Sequence, residues 1–390
     1  MNNKLNIRDE QKLLVELCRL EFSDENLLKT ELLIEGIKDW DYFRFLVNVH
    51  GIAALSFRNL EKQNLILKIP ASTAEYLKKT HLINLSRNTF NTKAIAVVLS
   101  LLNKAGIKTI ILKGLALENS VYGSEGLRQM SDIDVLIDRK DCMRARKILI
   151  GMGYESLPSK SFFHTLILDS IGKHLPALSR NGTSIEIHHG LFGKDSENLT
   201  RILYDSSYEV ELGGERAWFP QPQIFFLYLV RHLWRHELYN ESQLRLYADL
   251  AVLLEKHHEK ILNKELIELA SEAGMSGALA LRLQLLREFW GFSFPGWLNE
   301  FIDSYADDKS IEKFIFFLGS PKNNAPLKKH VLYRQIIKDI TGFHRRSLFV
   351  LGDILPSVAF MKKRYETRST LRAIMHYPHR LGKILWLFKN

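Results

Sequence analysis

Cysteine is nearly absent: Cys18 and Cys142 are the only two in 390 residues. So sparse and distant a pair supports neither a disulfide framework nor a thiolate metal knuckle, and it fits a reducing cytoplasm. The opening MNNKLNIRDEQ has no apolar targeting core. Long apolar runs are lacking too. The longest, SLFVLGDILPSVAFM at 347–361, is shorter than the ~20 residues a membrane span needs and is interrupted by Asp353 and Pro356. No transmembrane helix is expected, and neither an internal repeat nor a low-complexity segment is evident.

Acidic residues are scarce in one region only. From Pro321 to Asn390 there are 3 Asp and Glu against 15 Lys and Arg, whereas residues 1–320 carry 41 against 39. The basic excess therefore lies wholly in the last seventy residues. Apolar and aromatic residues are mixed into that segment, which ends HYPHRLGKILWLFKN. Three readings stand open for it: a solvated helical face packed on the body, a peripheral attachment to the anionic inner face of a membrane, and, behind these, nucleic acid.

What the chain does have is apolar material, 46% of its residues, enough for cores in two or three domains. Spacings of three and four in EQKLLVELCRL, DYFRFLVNVHGIAALSFRNL and FNTKAIAVVLSLLNKAG predict helices over most of 9–104, with Gly106 as a stop. A strand is expected at IKTIILKG (107–114), then a helical LALENSVYG. A second strand is expected at SDIDVLID (131–138), followed by a helix in DCMRARKILIGMGYE. A third, TSIEIHHGLF (183–192), follows the turn pair Asn181–Gly182. From Pro222 onward the pattern is helical again. The expected class is α+β: a small mixed sheet of three strands wrapped by helices on both sides. The expected divisions are 1–104, 105–220, 221–320 and 321–390, with a linker at 319–329.

Chemistry concentrates in the middle of the chain. Asp132 and Asp134 alternate with Ile133 and Val135, so a strand would present both carboxylates on one face, about 7 Å apart. Two such acids need a compensating cation, and hard oxygen ligands suit Mg²⁺ or Mn²⁺. Two such ions about 4 Å apart fit between adjacent carboxylates at phosphate-processing sites. Lys113 and the amides around Gly114 stand where a strand gives way to a helix, a position that favours phosphate. Glu186 offers a third carboxylate from another strand, with His188 two residues on and facing the same side.

These stretches together, ILKGLALENSVYGSEGLRQMSDIDVLID and IEIHHGL, resemble the uncharacterised bacterial nucleotidyltransferases of the DNA polymerase beta superfamily. VNVHGIAALSFRNL, LRLYADLAVLL and LPSVAFMKKRYE extend the resemblance over nearly the whole chain. It implies a nucleotidyltransferase core in which Asp132 and Asp134 hold two divalent metals. Glu186 would share one metal and help to deprotonate an acceptor hydroxyl. That hydroxyl would attack the α-phosphate of a nucleoside triphosphate, releasing pyrophosphate. Lys113 would steady the triphosphate, and Arg128 would orient the acids or contact phosphate. Two departures stand out: Lys113 and Gly114 replace the superfamily's Gly-Ser, and Glu186 stands where many relatives carry aspartate. Such proteins are often encoded among surface polysaccharide or peptide natural product genes, which leaves the acceptor open.

Other residues have plainer readings. His232 and His236 are four apart on one helix face, but the Glu of a His-Glu-x-x-His site is missing between them, and packing is expected. Arg245 and Asp249 have salt-bridge spacing and, with His188, are candidates for supporting the site from behind. His189 follows directly, and Tyr122 is expected to pack in the core. Against the active transferase stands a second class of function, an inactive nucleotide-sensing or scaffold module that recruits a biosynthetic partner; retention of all three acids argues for activity.

Overall fold

The computed structural model describes residues 7–156, 160–167, 173–192, 197–239, 241–320, 329–340 and 342–382. Helices α1 (Asp9–Glu16), α2 (Asp24–Gly36), α3 (Trp40–Val49) and α4 (Ala53–Lys62) pack ahead of a 34-residue α5 (Ala71–Lys104). Local chemistry sets several of these ends. Ser23 caps α2 by accepting from the Asn26 amide at 3.2 Å, and Asp39 caps α3 through the Tyr42 amide at 2.8 Å. Gly106, at φ +70°, turns the chain out of α5.

Next come β1 (Ile110–Ile111), α6 (Lys113–Ser120), β2 (Ile133–Leu136), α7 (Arg139–Gly151), β3 (Glu155–Ser156), α8 (Phe162–Thr165), β4 (Leu178–Arg180), β5 (Thr183–His188), α9 (Glu197–Ser206), β6 (Tyr208–Leu212) and β7 (Glu215–Phe219). The fold is mixed α and β, as the sequence suggested. Among the described residues the sheet has seven strands, not three, in the order β3-β4-β5-β2-β1-β7-β6. The three expected strands are its centre. β2 runs parallel to β5 and antiparallel to β1, and all four of its residues are buried, as a strand covered on both faces requires.

The extra strands are short or escaped periodicity. β3 and β4 span two and three residues. The β6–β7 hairpin turns through Gly213 and Gly214, at φ +62° and +84°, a glycine pair whose backbone matches the twist of the strands it joins. The first strand is also shorter than 107–114. Lys113 adopts φ +46° and opens α6, so extended pairing stops at Ile111.

Helices α10 (Pro222–Leu238), α11 (Leu244–Ile261), α12 (Lys264–Glu272), α13 (Ser276–Trp290), α14 (Gly296–Tyr305) and α15 (Asp308–Gly319) follow. One apolar core runs through them, the sheet and the N-terminal helices, from Leu13 to Leu318. Most of the expected linker, residues 321–328, lies outside the described residues. Then α16 (Lys329–Asp339), α17 (Phe343–Ile354), α18 (Val358–Arg364) and α19 (Thr370–Met375) form a separate small unit with the β3–β4 connection. Ile340 and Phe349 pack on Ile167 there. The buried Asp353 carboxylate pairs with Lys160, with Arg380 Nη2 at 3.7 Å. No helix among the described residues is long and apolar enough to cross a membrane.

Candidate active site

Parallel pairing of β2 with β5 sets Asp134 opposite Glu186 and Leu136 opposite His188. Asp134 is 3% exposed, and its Oδ1 receives Lys113 Nζ at 2.6 Å and lies 2.7 Å from His188 Nε2. The same imidazole nitrogen is 3.6 Å from Glu186 Oε2. Ligand atoms of Asp134, Glu186 and His188 all lie within 4.8 Å of one another. Asp132 sits one residue ahead of β2, half-buried, where the Ser131 hydroxyl donates to it at 3.1 Å; it stands outside that tight cluster. Ile133 and Val135 point the other way into the core, at 0% and 2% exposure.

Lys113 reaches this face because of the β1–β2 pairing. The Leu112 amide donates to the Asp134 carbonyl at 2.9 Å, which brings the next residue alongside the acid. The left-handed backbone of Lys113 is rare for a side-chain-bearing residue and marks strain at this point.

Electrostatics separates the acids. Burial alone would raise the Asp134 carboxyl, but Lys113 and His188 outweigh it and hold it well below the usual carboxylate range. Burial also works against charge on Lys113, yet the neighbouring Tyr228 oxygen, Asp134 and Asp132 keep its ammonium above the ordinary value. Asp132 is pushed up, first by burial and then by the like charge of Asp134, with Glu186 adding to it. The His188 contact lowers Glu186. Lys113 thus lies against Asp134 and Asp132, and Lys173 near Asp134 and Glu186, and of the three acids Asp132 is the one pushed up. A donor set of two or three carboxylates with an imidazole, short of positive charge, fits a hard divalent cation.

A buried ion pair holds the segment that leads into the acids. Arg128 lays its guanidinium on Asp249, Nε to Oδ1 at 2.8 Å and Nη2 to Oδ2 at 2.7 Å, and Tyr122 donates its hydroxyl to the same Oδ1 at 3.0 Å. Tyr122 is buried as expected, and it also carries a polar contact. Asp249 is therefore paired with Arg128 across elements. Arg245 instead donates to the Gln129 carbonyl and to Gln243 Oε1, both at 2.6 Å, and burial beside Arg128 pulls it down to about 10. The sequence reading missed Glu118 and Asn88. Glu118 accepts the amides of Gly126 and Arg128, and Asn88, on α5, donates to the Arg128 carbonyl at 3.0 Å. Gly114 is buried beneath this segment, where a Cβ would stand 3.1 Å from Met130.

The opposite wall comes from α10 and residue 173. Tyr228 is fully buried, and its hydroxyl has no hydrogen-bond partner among the described residues. His232 and His236 stack edge to face at 4.4 Å and belong to no cluster of metal ligands among the described residues. Burial, with Lys113 close by, holds His232 well below the usual imidazole range and His236 at about 4. Lys173 was also missed, lying in a stretch without periodicity. Its carbonyl accepts the His189 amide at 2.9 Å, and burial near Lys113 and Arg235 lowers its ammonium to about 7. His174 bridges to His188 alongside it. His189 itself turns toward Arg139, 3.3 Å from Nη2.

The site is thus a strand-borne carboxylate and imidazole centre with lysines on its rim, on a mixed sheet between helical layers. Residues 37–291 match the model of a family described as uncharacterised nucleotidyltransferase, and the chain belongs to that family. Among solved structures it is similar to an antigenic nucleotidyltransferase-like protein from Paracoccidioides brasiliensis, at 17% identity. That likeness covers 52% of this chain and 94% of the other, with a TM-score of 0.35. No curated protein matches.

Proposed function

We propose that this protein transfers a nucleoside monophosphate from a nucleoside triphosphate to a hydroxyl of its acceptor. The observation that carries the reading is the Asp134–Glu186 register, in a member of a nucleotidyltransferase family, with Lys113 and His188 closing on the same carboxylate. Asp132, Asp134 and Glu186 would hold Mg²⁺ or Mn²⁺, two ions in the fullest form, and the bound metal supplies charge that offsets the phosphates. In transfer the acceptor oxygen bonds to the α-phosphorus, the bond to the departing pyrophosphate breaks, and Glu186 takes the hydroxyl proton. Lys113 and Lys173 stand where they would balance triphosphate charge. Arg128 acts by position, its guanidinium being spent on Asp249.

One observation favours a second reading. Lys113 already neutralises Asp134, as a lysine would in a module that binds nucleotide without turnover. Thermal unfolding with each of ATP, CTP, GTP and UTP, with and without Mg²⁺ or Mn²⁺, tests both. Under the transferase reading one nucleotide raises the transition temperature only with metal, and Asp134→Asn abolishes the shift. Metal-independent stabilisation that survives Asp134→Asn would replace the transferase with the sensing module.

A further inference from the structure

The basic C-terminal unit has two faces. Its inner face is docked: Met361 and Ala373 are fully buried, Tyr365 stacks on His376 with ring centroids 3.9 Å apart, and Arg380 Nε donates to the Asp353 carbonyl at 2.8 Å. Its outer face is not. Leu371, Ile374 and Met375 follow one another at helical spacing on α19 and are 70%, 48% and 70% exposed. Lys363, Arg368 and Arg372 lie in the same stretch of chain, all exposed, and none makes an ion pair with a described residue. Glu366 is the one acid in that stretch.

We infer that this outer face of α18 and α19 seats the protein on an anionic lipid surface. Three occupants compete for such a face, and its chemistry separates them. A nucleic acid would take the cations and leave the apolar trio in water. A second copy would cover the trio but would bring the same positive charges against their own kind. An anionic bilayer satisfies both sets at once, with headgroups meeting Lys and Arg while the aliphatic side chains enter the acyl boundary. The docked inner face then fixes the orientation. Since α17 packs on α8 and Asp353 pairs with Lys160, the lipid-facing surface is tied to the connection between β3 and β4, the strands beside the site.

The test is sedimentation of the full chain with vesicles of phosphatidylcholine alone and of phosphatidylcholine with about one-third phosphatidylglycerol. The wild-type protein is expected to bind only the anionic vesicles, and high salt is expected to release it. A Leu371→Ser, Ile374→Ser, Met375→Ser variant keeps every charge and should bind at least about tenfold more weakly, with an unchanged unfolding temperature. Equal vesicle binding by that variant, or no vesicle binding by the wild type, overturns the proposal. So does RNA binding in place of vesicle binding, or a dimer in solution that the triple variant dissociates.

Discussion

Asp134 stands directly opposite Glu186 across the parallel β2–β5 pair, although 52 positions separate them in the chain. A slip of one residue would set Glu186 against a buried aliphatic side chain and scatter the donor set, so the register itself is part of the chemistry. Asp134→Asn and Glu186→Gln preserve shape and hydrogen bonding. Glu186→Gln is expected to leave the unfolding transition within ~1 kcal/mol of wild type, whereas Asp134→Asn strands the largely buried Lys113 ammonium and should cost about 3–5 kcal/mol. Both should lower nucleotidyl transfer by roughly a thousandfold, ~4 kcal/mol of barrier. Pyrophosphate release reads the effect, and full release by either variant would remove that acid from the mechanism.

The Arg128–Asp249 pair is buried on both sides, at 6% and 1% side-chain exposure. Removing either partner leaves a charge stranded, so Arg128→Met and Asp249→Leu should each cost about 3–5 kcal/mol. The double variant should cost less than the sum of the two. A urea double-mutant cycle measures the coupling, and additive losses would show that the pair does not act as a unit.

Gly126 adopts φ +75°, and a Cβ there would lie 2.5 Å from the Leu85 backbone on α5. Gly126→Ala should therefore destabilise by more than ~2 kcal/mol, through both strain and collision. Because the same turn carries Arg128 and leads into Asp132, metal-dependent nucleotide binding should weaken in parallel. Thermal melts with and without nucleotide separate the two effects.

His50 supplies a pH dependence remote from the acids. Its Nδ1 accepts the Leu244 amide at 3.2 Å and its Nε2 donates to the Leu318 carbonyl at 3.0 Å, which leaves no room for a second proton. Burial depresses it to about 4. Between that value and about 6.5 the unfolded chain binds the extra proton and the folded chain does not. Stability is thus fully present above pH ~6.5 and falls as pH drops toward 4. Urea midpoints across this window should show the loss, and His50→Gln should reduce its slope, His164 and His236 keeping the share that their own depressed values contribute; an unchanged slope would assign the dependence to those groups.

How much of this was legible beforehand depended on range. Asp132 and Asp134 declare a shared face through alternation alone, and Lys113 and Gly114 mark a strand-to-helix junction, because those signals act within a few residues. The pairing of Asp249 with Arg128 was hidden, since helical spacing pointed to Arg245 as its partner and only contact between α11 and the α6–β2 connection brings Arg128 into reach. Lys173 and Glu118 carried no local pattern at all. The Gly213–Gly214 turn did carry one, a glycine pair between two alternating runs, and reading it would have extended the sheet to β6 and β7.

The sequence by itself determined the α+β class, the central strands, the acids and the confinement of basic charge to the C-terminal seventy residues. These follow from periodicity, turn chemistry and composition, all of them short-range or additive properties of the chain. Tertiary structure decided which groups meet: Glu186 against Asp134, Lys113 on that carboxylate, Arg128 on Asp249, and the side of the C-terminal unit left open. Such encounters depend on strand order and helix packing between distant segments, and no local pattern encodes them.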